Sequence, residues 1–278
     1  MTNKLRDLIR DMAPDSVARL VRRVFLWKRR AQFRPYKITR IVGDDSFPFR
    51  IADTTGELWY GRRKVISPEL PFILGQMLSP DDLVFDVGAH HGFWTVCMAR
   101  HSGHVLSIEP NPHNVAILKG NIELNALKNV TICQVAVGVS TGKIPLLQDS
   151  DHGGVLPPKL SALPTIDVEL VTLNQLAREY GFPQMLKIDV EGFEANVLRG
   201  ASEVLIRHPK IAIEVHVDWV SRYGASVSEV VNLLDLKSYR VWVLPHNGEI
   251  QPWDGKDFNR YQATKFTLFL MPEGLSKA

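Results

Sequence analysis

From Leu83 onward the chain repeats one pattern: a short apolar run, a turn, then a stretch with helical periodicity. The runs are residues 83–87, 105–109, 130–137, 186–190 and 211–215. Helical stretches follow at 94–100, 112–125, 194–205 and 227–236. Short strands that are apolar throughout must be buried on both faces. Alternation with amphipathic helices therefore predicts an α/β, doubly wound, mostly parallel sheet covered by helices on each side. Residues 240–244 and 265–270 are two more β-rich runs, separated by Pro245, Asn247-Gly248 and Pro252, and should close the chain as an antiparallel pair.

Two regions fall outside the repeat. Residues 138–184 are too long for a structureless connection, so part of them must form strands of its own, with 165–171 strand-like and 173–180 helical. The most loop-like piece, 149–154 (Asp-Ser-Asp-His-Gly-Gly), is a candidate substrate lid. Upstream, the division expected is a basic amphipathic helical arm over 1–37, a small β/helical extension over 38–80 with a short helix near 72–78, and the main domain over 81–278.

Charge separates the arm from the body. Residues 1–40 hold twelve Lys or Arg against Asp7, Asp11 and Asp15, whereas the remainder is mildly acidic. An Arg-rich amphipathic helix could lie on anionic lipid, bind nucleic acid, or pack on the body or a second copy while its charges face water. Sparse aromatic interleaving disfavours nucleic acid. A homo-oligomer stays open. With 45% hydrophobic residues and no apolar run of membrane-spanning length, the expected location is cytoplasmic, at most peripheral on the inner face of a membrane. Cys97 and Cys133 form no CxxC or Cys/His cluster and read as two buried thiols.

The chemistry concentrates at strand ends. Asp86-Val87-Gly88-Ala89-His90-His91-Gly92 follows the first strand. Gly88 and Gly92 let the backbone pass close to a ligand, and Asp86 could accept from a cationic amine or a water. A dinucleotide site would want a third glycine facing a pyrophosphate. A leading carboxylate suits the positive methionine half of S-adenosylmethionine better. Glu109 ends the second strand, where a carboxylate could take both ribose hydroxyls. Asp189 ends the fourth, with Glu191 two residues on. Lys187 shares the strand face of Asp189 and could keep it charged. The alternative for both acids is capping of the following helix. His216, two residues beyond Glu214, could serve as a general base. No metal is expected. The less favoured alternative is a divalent site of Asp189, Glu214 and His216.

Asp86-Val87-Gly88-Ala89-x-x-Gly92, Glu109-Pro110-Asn111-Pro112, Ala136-Val137-Gly138, Lys187-Ile188-Asp189-Val190-Glu191-Gly192 and Leu198-Arg199-Gly200-Ala201 occur in an order and spacing that resembles the FkbM-type methyltransferases. The resemblance runs from about Leu83 to His216. It implies a seven-stranded sheet of order 3-2-1-4-5-7-6 with S-adenosyl-L-methionine as cofactor. It also implies O-methylation of a saccharide, glycolipid precursor or natural-product-like small molecule. Proteins of this kind commonly have Asn where His90 stands. Candidate cofactor-binding residues are Asp86, Gly88, Ala89, His90, Gly92, Glu109, Asn111, Gln134 and Ala136, and candidate catalytic residues are Asp189, His216, Glu191 and Lys187. Competing readings are a methyltransferase acting on RNA or protein through the arm, and a non-catalytic nucleoside-binding scaffold. The fourth strand lacks an Asn-Pro-Pro-Tyr-like motif for amine acceptors.

Overall fold

A computed structural model describes residues 32–43, 45–61, 68–147, 155, 165–246, 248–253 and 264–274. Nearly all of the arm and the whole 149–154 segment lie outside them. Internal contacts divide the chain into two compact units, residues 1–38 with 50–63 and residues 39–49 with 64–278. In the first, Asp53 caps a short helix, α1 (Thr54–Gly56), which runs on as a wider turn to Gly61.

The larger unit is built on an eight-stranded sheet. After the hairpin β1 (Tyr36–Val42) and β2 (Asp45–Ile51), helix α2 (Glu69–Phe72, continuing to Met77) leads to strand β3 (Leu83–Val87). Then come α3 (Phe93–Ala99), β4 (His104–Ile108), α4 (Pro112–Leu124) and β5 (Val130–Cys133). Next are β6 (Ala136–Val137), β7 (Gly142–Leu147), β8 (Thr165–Val171), α5 (Leu173–Tyr180) and β9 (Met185–Ile188). Helices α6 (Glu194–Arg199) and α7 (Ser202–Leu205), strand β10 (Lys210–Val215), and helices α8 (Val217–Val220) and α9 (Val227–Asn232) follow. Strands β11 (Tyr239–Pro245), β12 (Gln251–Trp253) and β13 (Phe266–Pro272) end the described chain.

The main sheet runs β12-β11-β13-β10-β9-β3-β4-β5. Strands β10, β9, β3, β4 and β5 are mutually parallel, and β13 joins β10 and β11 antiparallel. The expected seven strands are therefore eight, because Gln251–Trp253 pairs with Val241–Val243 and extends the edge. Strand alternation explains the two cores. Phe85, Leu106, Leu186 and Ile213 turn to one cluster, whereas Val84, Val105, Met185 and Ala212 turn to the other.

One expected strand is corrected. Residues 130–137 divide at Gln134 and Val135: β5 stays in the main sheet, but Ala136 and Val137 pair with Leu170 and Val171 of β8. With β7 these make a separate three-stranded sheet around Leu146, Val168 and Leu170. The long interval thus supplies its own strands and its own small core. Both cysteines are buried and unpaired.

Candidate functional site

Parallel strands bring their carboxyl ends to one edge, and β3 lies between β4 and β9. The turn after β3 is tight. Gly88 N and Ala89 N both donate to Ile108 O, Gly92 N donates to Ala89 O, and Gly88 and Gly92 hold φ of 83° and 84°. A Cβ on Gly88 would come within 1.9 Å of Asp189 O, so the first loop touches the fourth strand's end through bare backbone. His90 has φ of 52°, and its ring stacks on His91 at 3.9 Å. Its backbone N–H donates to Glu109 Oε2 at 2.8 Å. His is among the residues enriched in this left-handed conformation, so His90 suits the turn.

Glu109 is buried and held from three sides. Besides His90 N, its Oε1 accepts from Asn111 N at 2.9 Å and Asn114 Nδ2 at 3.1 Å. Burial lifts its pKa above the ordinary value against the pull of these bonds. Since a carboxylate offers about four acceptor positions, one on Oε2 is left for a ligand. Asn111 spends its own side chain capping α4, where Oδ1 accepts from His113 N at 2.9 Å. Gln134 is exposed at the end of β5, whereas the Ala136 side chain is packed into the small sheet's core.

Asp86 has no exposed surface. Its Oδ2 accepts from Thr95 Oγ1 at 2.7 Å, and Oδ1 lies 3.2 Å from Lys187 Nζ. The cation that Asp86 meets in this structure is Lys187, its register partner on β9. Lys187 also donates to Gly88 O at 3.3 Å and stands 3.8 Å from Asp189 Oδ2. Burial opposes its charge, but Asp86 and Asp189 more than compensate and raise its pKa.

Asp189 and His216 come together as the sequence suggested, and Glu191 and Glu194 join them. His216 Nδ1 pairs with Glu194 Oε1 at 2.8 Å. Its Nε2 lies 3.1 Å from Glu191 Oε2 and 4.0 Å from both Asp189 Oδ1 and Glu214 Oε2. Glu191 reaches the ring from a left-handed backbone, φ 54°. Lys265, at the start of β13, pairs with Glu214 Oε1. Burial would raise the Asp189 carboxyl, but Lys187, His216 and Lys265 hold it below its usual value. Burial and Asp189 push Glu214 up to about 8. The imidazole is raised to about 9, since the bond to Glu194 and the charges of Asp189 and Glu191 outweigh burial. A cleft beside these groups is lined by Glu69, Ile73, Trp94, Lys187, Asp189 and Glu214.

Three contributors carried no signal that sequence reasoning used. Thr95 lies one turn into α3, Lys265 lies 76 residues beyond Asp189, and Glu194 reads as an ordinary acid in a helix's first turn. Glu194 has a nearer clue. Its Oε1 also accepts from Gly192 N at 2.9 Å, so the second Glu of Glu191-Gly192-Phe193-Glu194 folds back over the turn.

Comparison with known proteins bears on this arrangement. The chain is 25% identical over 185 residues to the hexuronic acid methyltransferase AglP of Haloferax volcanii, covering 64% of this chain and 72% of that one. It is 29% identical to methyltransferase sdnD of Sordaria araneosa, over 45% of this chain and 62% of that protein. A crystal structure of the methyltransferase FkbM from Methylobacillus flagellatus superposes with a TM-score of 0.47 at 17% identity, over 71% of this chain and 45% of that one. The sequence profile of the methyltransferase FkbM domain matches residues 86–241, which contain the carboxyl ends of β3, β4, β5, β9 and β10 but not Lys265. By that match, over more than half its length, the chain belongs to the FkbM methyltransferase family.

Proposed function

We propose that the protein transfers a methyl group from S-adenosyl-L-methionine to a hydroxyl of a saccharide, glycolipid precursor or related small molecule. The observation that carries the reading is the adjacency of two unlike sites. A buried carboxylate with one acceptor position left adjoins a glycine turn, and one strand away an acid–imidazole cluster opens on a cleft.

The donor set fits the cofactor. Glu109 Oε2 would take one ribose hydroxyl, and the backbone from Gly88 to Gly92, with Ala89 and His90, would follow the nucleoside. Gln134 would edge the base. Asp86 and Asn111 act as positioning residues, Asp86 through Lys187 and the loop carbonyl, Asn111 through the Glu109 carboxylate. When bound, S-adenosylmethionine supplies a sulfonium methyl whose carbon leaves sulfur for the acceptor oxygen, while that oxygen gives up its proton and S-adenosylhomocysteine results. His216, kept charged by the carboxylates around it, orients the acceptor hydroxyl, and Asp189, with Glu191 beside it, takes its proton into the cluster. Lys187 keeps Asp189 charged at the cleft wall. The name of the Haloferax volcanii relative, a hexuronic acid methyltransferase, supports a saccharide as acceptor.

Calorimetry with S-adenosylhomocysteine and with NAD tests the cofactor, and labelled-methyl transfer into a cell extract tests the reaction. Binding of NAD alone, or unchanged turnover in both Asp189→Asn and His216→Ala, would sink the proposal. The basic arm, residues 1–37, is proposed to touch anionic membrane. Liposome co-sedimentation with and without residues 1–35 should differ on anionic vesicles, and equal sedimentation rules the contact out.

A further inference from the structure

We infer that Asp189, Glu191, Glu214 and His216 form a binding site for one divalent cation, placed so that the acceptor hydroxyl can complete its coordination. The inference rests on the methyl-transfer reading for its role but not for its existence. Three carboxylates from two adjacent strand ends converge on the imidazole Nε2, with oxygens at 3.1, 4.0 and 4.0 Å. Ligands about 2.1 Å from a common ion stand about 3.0 Å apart at right angles and about 4.2 Å apart across it. The separations fall inside that range, and the two longer ones exceed a hydrogen bond. One ligand atom each from Asp189, Glu214 and His216 all lie within 4.8 Å of one another.

Each of three ligands is itself held through its other polar atom. Glu194 fixes His216 through Nδ1, Lys187 approaches Asp189 through Oδ2, and Lys265 pairs with Glu214 through Oε1. Such outer partners orient metal ligands and leave the inward-facing atoms available. A second observation points the same way. Glu194 is fully buried, and its Oε2 makes no hydrogen bond among the described residues. Five carboxylates, Asp86, Asp189, Glu191, Glu194 and Glu214, gather around Lys187, Lys265 and the imidazole in a poorly solvated place that would favour a further cation. Asp189 and Glu214 also line the cleft, so the ion's open side would face an entering hydroxyl. An ion there lowers the hydroxyl's pKa, and the cluster need supply only a weak base. Mixed imidazole and carboxylate ligands suit Mn²⁺ or Mg²⁺ over thiophilic metals.

The test is Mn²⁺ binding to the full chain, read by electron paramagnetic resonance of free Mn²⁺, with Mg²⁺ as competitor. One saturable site is expected. Asp189→Asn and His216→Ala should abolish it, and Glu194→Gln should weaken it about 10–100-fold through the imidazole. Glu203→Gln, at an exposed pair with Arg178, should bind as wild type. Circular dichroism identifies folded variants, and Glu191→Gln, expected to weaken binding, serves if either abolishing variant unfolds. No saturable Mn²⁺ binding, or equal binding in folded variants, overturns the inference. S-adenosylhomocysteine binding without Mn²⁺ binding leaves the methyl-transfer reading standing, and the reverse removes that reading while keeping the ion site.

Discussion

Gly88 shows how little room the site leaves. An added Cβ would lie 1.9 Å from Asp189 O, and the backbone already sits at φ 83°. Neither can relax without parting the loop from β9. Gly88→Ala should cost about 3 kcal/mol or more, from the left-handed penalty plus overpacking, and thermal unfolding against wild type measures it. A loss under about 1 kcal/mol would show that the two strand ends are less tightly joined. Glu191 is the converse case, a side chain kept in the left-handed region beside Gly192. Strand-end acids were legible at this scale, because alternation fixes which residue ends each strand. Lys187 was legible only by half. Period two placed it beside Asp189, but its closer contact is Asp86, a neighbour across the sheet that no local pattern reveals.

Among elements, the tip of the β1–β2 hairpin is tied to the main sheet's flank. Arg100 makes a two-pronged bond to Asp45 with both distances 2.6 Å, and His101 stands 3.3 Å away. Phe47 and Phe49 close on Phe93 at 5.8 and 5.5 Å. The Arg100 bond holds the Asp45 pKa below its usual value against partial burial. A depressed carboxyl stabilises the fold above its unfolded pKa, and that contribution fades as pH falls through the folded value, here below about 4. Hydrogen-exchange protection of residues 45–49, taken relative to the intrinsic rate at each pH, should therefore fall below pH 4 in wild type, whereas Asp45→Asn should start less protected and change less. Unchanged wild-type protection counts against the tie. The division of residues 130–137 was not legible at this scale, because both halves are apolar and only pairing with β8 separates them.

Across the whole molecule, the parallel strands divide labour between their ends. At the amino ends, Lys210 Nζ pairs with Asp82 Oδ2 at 2.6 Å, both largely buried. At the carboxyl ends lie the carboxylates and His216. Asp82→Ala would strand a buried ammonium and should cost about 3–5 kcal/mol while leaving S-adenosylhomocysteine affinity unchanged. Denaturant titration and calorimetry measure the two separately, and a matching loss of affinity would show that the two ends are coupled. What the sequence determined alone is the α/β class, the strands of the main sheet apart from its edge, and the rank of strand-end acids, because burial on both faces and period-two alternation are local properties. Tertiary structure decided which charges meet. Lys187 with Asp86, Glu194 with His216, and Lys265 with Glu214 are joined across 101, 22 and 51 residues. Contacts at such separations follow from strand order and register, which local pattern does not encode.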